Sequence, residues 1–261
     1  MIIGYLRNDF YGYGIKIPLK ITLAKKVSSI LIVGKSGSGK SVSAVWYLWQ
    51  MLHTMESICY LADYKAGEEY EAFEGSHSYA SGKDAVQMIL DFYDFFTEIR
   101  NNRIRLEEHY TLFIEEYFGL LTYAETQSKK LKTELMAKIG EILAVGRGLN
   151  IGIVLCIQRA DSSNFSAGAR EQFQCVLSFG RCSGEQFRML GYSGELEENP
   201  TGNYTAGQAL CLIDGQDGVQ EIIVPWIRNP DEMCRQIRKS LDAQPDIQTL
   251  RSVVAGGEHT E

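Results

Sequence analysis

The feature that most constrains this 261-residue chain is the stretch Gly34, Lys35, Ser36, Gly37, Ser38, Gly39, Lys40 and Ser41. It follows the short apolar run Val27 to Val33 (VSSILIV) and opens the helical pattern SVSAVWYLWQMLH. A strand, a glycine-rich turn and a helix start in that order make a phosphate cradle. The glycines let backbone N–H groups turn inward, and the helix N-terminus adds the positive end of its dipole. Within the spacing Gly-x-x-x-x-Gly-Lys-Ser, Lys40 reaches toward β- and γ-phosphates and Ser41 offers its hydroxyl to Mg²⁺. A chain with this motif is expected to bind ATP and to place the loop at the end of a parallel strand.

The rest of the pattern agrees. Ser57 to Ala62, Thr111 to Ile114, Ile151 to Ile157, Cys175 to Phe179 and Ala209 to Ile213 are short apolar runs, with a further one over Val219 to Trp226. Between them, Asp84 to Arg105 and Thr126 to Val145 carry apolar residues at helical spacing. Apolar strands alternating with helices predict an α/β fold, a mainly parallel central sheet with helices on both faces. The N-terminal runs IIGYL and GIKIPLKI, with the turn-rich FYGYG between them, predict a short β element. The expected organisation is that element at 1–26, packed on an ATPase domain at 27–228, then a C-terminal helix and a loose tail at 229–261.

Composition narrows the function classes. Hydrophobic residues make up 45% and charged residues 23%, and the net charge of −7 means that any polyanion is met by a local basic patch. The six cysteines form no CxxC pair and most lie inside apolar runs, which reads as small core hydrophobes in a reducing compartment. No apolar run approaches the roughly 20 residues of a membrane helix, and the N-terminus has no signal-peptide layout, so a cytoplasmic protein is expected.

The strand TLFI ends in Glu115 and Glu116. An acidic pair there suits hydrolysis: the first carboxylate orients the metal shell and the second accepts a proton from the attacking water. The first position is more often Asp, and the longer Glu115 can hold the ion through a water. Gln158, directly after IGIVLCI, reads either as an ordinary strand cap or as a group that positions water. Arg147, Arg159, Arg170 and Arg181 can each be a solvated surface group or a guanidinium that neutralises a transferring phosphoryl group. Asp63 and Lys65 read either as a surface ion pair or as contacts to phosphate or to a water of Mg²⁺. Lys129, Lys130 and Lys132 read as the wet face of a helix or as a contact to a polyanion.

Taken in order, these pieces resemble the FtsK/SpoIIIE family of DNA-pumping ATPases, with relatives among HerA motors and conjugative coupling proteins. The likeness runs from about Ile17 to Trp226 through IPLKITLAKKVSSILIVGKSGSGKS, YLADYKAGEEYEAF, TLFIEEYFGLL, GRGLNIGIVLCIQRAD and AREQFQCVLSFGRCSGEQFRMLG. It implies a RecA-like fold with the Gln158 strand between the strands of the phosphate loop and of Glu115. Gln158 becomes a sensor, and Arg170 and Arg181 stand where relatives place an arginine donated across a subunit interface. The implied assembly is a homo-oligomer, a hexameric ring around double-stranded DNA. Larger members carry membrane helices and a DNA-reading module, so a minimal motor, from a mobile element and brought to its place by a targeting or membrane partner protein, is the expectation here. The alternatives are a protein-secretion or assembly ATPase of the same superfamily and a poorly hydrolysing nucleotide-dependent scaffold.

Overall fold

The structure, a computed structural model, describes residues 1–23 and 26–255. Ten strands form one sheet: β1 (Ile2–Leu6), β2 (Pro18–Lys20), β3 (Ile30–Gly34), β4 (Ile58–Asp63), β5 (Tyr79–Ser81), β6 (Tyr110–Glu115), β7 (Ile151–Ile157), β8 (Cys175–Phe179), β9 (Gln208–Ile213) and β10 (Gln220–Ile223). Their order is β2-β1-β10-β9-β8-β3-β7-β6-β4-β5, and the six strands from β8 to β5 run parallel. β7 lies between β3 and β6, the position that the family resemblance implied.

The helices are α1 (Arg7–Tyr13), α2 (Lys40–Thr54), α3 (Ala85–Asn101), α4 (Tyr117–Gln127), α5 (Lys129–Val145), α6 (Gly184–Met189), α7 (Pro230–Ala243) and α8 (Ile247–Ala255). Every residue of β3 and β7 is buried, as a parallel strand covered on both faces requires. Alternate side chains go to opposite faces. Leu31, Val33, Ile153 and Leu155 join a core with α3, α4 and α5, whereas Ile30, Ile32, Val154 and Cys156 join one with α2 and α7. Five of the six cysteines are buried and all six are free, in keeping with their reading as core residues.

Four local features differ from the sequence expectations. FYGYG is helix rather than turn: Arg7 is tied to Glu221 and the Tyr11 hydroxyl to Gln208, and Gly14 ends the helix at φ 68°. These tertiary anchors outweigh the helix cost of Gly12. β1 and β2 extend the main sheet, since β1 pairs antiparallel with β10. The helix expected from Thr126 is two helices, α4 and α5, divided at Ser128, whose hydroxyl accepts the Leu131 N–H at 3.0 Å as an N-cap. Finally, part of the expected loose tail is α8, whose Ile247 is 2% exposed and packs on the α3 side. The last residues of that tail, 256–261, lie outside the described residues.

Candidate functional site

β3 ends at Gly34, and the chain turns back on itself before α2 begins at Lys40. Gly37 and Gly39 have φ of 79° and 87°, a region costly for any residue with a Cβ. At Gly39 a Cβ would also lie 2.7 Å from the Gly207 nitrogen. The loop is thus pressed against the start of β9, and backbone hydrogen bonds fix it there. Gly207 N–H donates to Ser38 O at 2.9 Å, and Val224 N–H donates to Gly207 O at 2.8 Å. Above the loop lies a cavity of about 480 Å³ into which the first turn of α2 opens.

On one side of the loop stand the ends of β7, β6 and β4. Lys40 Nζ is 2.7 Å from Glu115 Oε1, and the two side chains are only 7% and 2% exposed. Ser41 Oγ donates to the same oxygen at 3.1 Å, and the Tyr70 hydroxyl approaches Oε2 at 3.5 Å. Burial would lower the Lys40 pKa, but the surrounding acidic groups, Cys156, Glu115 and Glu116, outweigh it and hold the ammonium above its ordinary value. Desolvation takes back much of the Coulomb gain of such a buried pair. Lys40 therefore gives up little by exchanging this carboxylate for a phosphate.

Glu116 occupies a different environment. It sits at φ 53° and ψ 53°, a left-handed conformation rare for a side chain of this size. This turns its carboxylate out of the strand line and into the cavity lining, where Gln158 Nε2 lies 3.3 Å from both carboxylate oxygens. The chain neighbours Glu115 and Glu116 are thereby split into a buried and a half-buried acid.

Asp63 lies opposite Glu115 across the β4–β6 pair and is buried. Its carboxylate accepts the N–H groups of Lys65 and Gly67 at 3.0 Å each and the Tyr79 hydroxyl at 3.0 Å. Burial raises its pKa, and these hydrogen bonds work against that shift. Asp63 is thus no surface ion pair: it is buried, and its oxygens shape the turn after β4. Lys65 does line the cavity, 4.0 Å from Glu69.

The arginines separate. Arg147 precedes β7, at the sheet edge away from the cavity. Arg159 is held by Asp161 at 2.7 Å and Glu185 at 2.5 Å. Arg170 donates to the Ala160 carbonyl at 2.9 Å. Arg181 follows β8, at the same end of the sheet as the phosphate loop, is exposed, and makes no hydrogen bond or ion pair among the described residues. Of the lysine cluster, Lys132 pairs with Glu125 at 2.7 Å, while Lys129 and Lys130 are exposed.

The other side of the loop is apolar, and sequence reasoning missed it. β9 and β10 each reverse direction, so the C-terminal end of β10 returns to the same sheet edge as the phosphate loop. Ile223, Val224, Pro225 and Trp226 line the cavity there, and Trp226 is 88% exposed. In the sequence these residues read only as the end of a strand. The one available signal was a tryptophan placed directly after a proline, where the ladder must stop.

A scan of protein-family models and a search of curated proteins find no match. Solved structures do match in fold. The pCW3 conjugation coupling protein TcpA, solved with ATPγS, aligns at a TM-score of 0.61 with 18% identity, over 84% of this chain and 67% of that one. The cytoplasmic domain of the type VII secretion ATPase EccC of Thermomonospora curvata aligns at 0.64 with 16% identity, over 94% of this chain. The present chain spans 31% of that EccC chain. The genome-packaging NTPase B204 of Sulfolobus turreted icosahedral virus 2, with ATPγS, aligns at 0.51 with 15% identity, over 75% and 96% of the two chains. The fold is therefore that of RecA-like P-loop NTPases, and these neighbours are a conjugation coupling protein, a secretion ATPase and a genome-packaging NTPase. Among the described residues no helix is long and apolar enough to cross a membrane.

Proposed function

We propose that the chain is an ATP-hydrolysing motor that translocates double-stranded DNA. The observation that carries this reading is the meeting of three strand ends at one loop: Lys40 and Ser41 on Glu115, with Glu116 beside them in the grip of Gln158. In this reading the inward backbone N–H groups of Gly34 to Ser41 bind the phosphates, and Lys40 leaves Glu115 for the β- and γ-phosphates. Ser41 Oγ and the Glu115 carboxylate, 3.1 Å apart, are hard oxygen donors that fit Mg²⁺. Among the described residues no cluster of three acidic, imidazole or thiol groups could hold a metal, so phosphate and water oxygens would complete the shell. Bound there, the ion would neutralise charge that develops on the phosphates.

Glu116 is the general base. Its carboxylate, in the cavity lining, takes the proton of the attacking water, and Gln158 fixes the carboxylate plane and reports the state of the γ-phosphate to β7. Of the two arginines expected to act on a neighbouring subunit's site, Arg181 has its guanidinium unengaged and Arg170 does not. The DNA cargo, the hexameric ring and a targeting partner belong to the proposal through the family resemblance and through the conjugation and packaging neighbours. The −7 net charge favours a second reading, a protein cargo, because DNA must then be gripped by local groups such as Lys129 and Lys130.

ATP turnover measured with and without double-stranded DNA tests both. The expected result is a several-fold stimulation by DNA and loss of turnover by two orders of magnitude or more in Glu116→Gln and Lys40→Ala, with ATP binding retained only in Glu116→Gln. Turnover indifferent to DNA would turn the reading toward a protein cargo.

A further inference from the structure

The chain has three tryptophans, and all three line one apolar groove, which Trp226 joins to the cavity over the phosphate loop. Trp46 and Trp49 lie on α2 and, with Met233 of α7, line a groove of about 250 Å³. Trp226 borders that groove and the main cavity alike, at 88% exposure. Leaving the largest apolar side chain so open to water forgoes most of the burial energy it could contribute. Val42, 43% exposed at the start of α2, lines the same cavity.

The sheet order says what could cover these groups. Glu115, Glu116 and Gln158 end strands on one side of β3, whereas β10 ends on the other, so the reacting end and the apolar end of the cavity lie on opposite sides of the phosphate loop. A triphosphate with its γ-phosphate at Glu116 and its β-phosphate in the loop points its remaining part toward Val224–Trp226. The side chains there are Ile223, Val224, Pro225 and Trp226, none of which carries an acceptor, and the indole N–H is the only donor. Such a wall recognises a flat ring by its face.

We infer that Trp226 is the stacking platform for the nucleotide base, with Val42 completing the apolar slot. The inference rests on the reading of Gly34 to Ser41 as the phosphate site. The stack is a contact to the substrate's non-reacting end, so it sets affinity and leaves the chemical step to Glu116.

Binding of two probes, ATP and inorganic tripolyphosphate, to the full chain and to Trp226→Ala and Trp226→Phe separates the two readings. Loss of one base stack should weaken ATP binding about tenfold in Trp226→Ala, while Trp226→Phe keeps most of it. Tripolyphosphate, which has no base, should bind all three proteins alike. Thermal unfolding should not move, because so exposed a ring supports no core. ATP affinity unchanged in Trp226→Ala, or an equal loss for ATP and tripolyphosphate, would overturn the stacking role. If tripolyphosphate and ATP both fail to bind the unaltered chain, the phosphate-site reading falls with it.

Discussion

At the scale of single residues, Glu115 and Glu116 show how one backbone turn divides two like side chains. Glu115 remains in the strand, buried against Lys40, and Glu116 leaves it in a left-handed conformation. Dihedral angles of that kind are not encoded in residue type, so the acidic pair was legible in the sequence while the division of labour rested on its order alone. His109 shows a different limit. Its ring is 5% exposed, its Nδ1 lies 2.9 Å from Thr111 Oγ1, and its Nε2 has no partner. Burial is the one cause that pushes its pKa down, to about 4. An unfolded histidine takes up its proton near pH 6.5, so between these values the unfolded chain binds more protons and stability falls as the pH falls. The loss should approach about 3 kcal/mol by pH 4. Denaturant unfolding at pH 7 and at pH 4.5 checks this. His109→Asn, whose amide can replace Nδ1, should lose less stability over that interval than the unaltered chain. Equal losses would assign the acid sensitivity to other groups.

At the scale of elements, legibility followed burial symmetry. β3 and β7 are apolar throughout because helices cover both their faces, and both were plain in the sequence. α5 was visible for the opposite reason: one apolar stripe, the rest wet. α1 and α4 were missed. α1 is anchored by Glu221 and Gln208, far away in the chain, and Gly12 and Gly119 weaken the local signal of the two helices. α8 is hard to see in the sequence because it is short and part of its fastening is electrostatic. Arg251 reaches Asp91 at 3.1 Å and Asp94 at 2.9 Å, with Glu98 at 3.8 Å, all along α3. Without the guanidinium, α3 would present three neighbouring carboxylates and no counter-charge. Arg251→Ala is expected to cost about 1 kcal/mol, the modest value proper to a partly exposed ion pair. Its clearer sign should be faster amide hydrogen exchange in 247–255 with α3 itself little changed. Unchanged exchange there would mean that Ile247 and Leu250 hold the helix by packing alone.

At the scale of the whole molecule, the strand order places the phosphate loop near the middle of a ten-stranded sheet, with acids on one flank and an apolar wall on the other. An arginine supplied from outside would complete the acidic flank. If Arg181 acts on a neighbour, Arg181→Ala and Lys40→Ala should each be inactive alone and regain part of the ATPase activity on mixing. Some mixed interfaces then join an intact loop to an intact arginine. No recovery on mixing would count against action in trans, and recovery with Arg170→Ala in place of Arg181→Ala would name the other arginine. Such an assembly has to turn a change at the phosphates into movement elsewhere. The two backbone hydrogen bonds from Ser38 through Gly207 to Val224 bear on this, because amide-to-carbonyl links have no rotamers to absorb a shift. They would act as a short connecting rod: a displacement of the loop would reach Val224 through them, and the chain from Val224 leads within a few residues into α7. A loop that moved would then carry the wall over it toward the helix beyond.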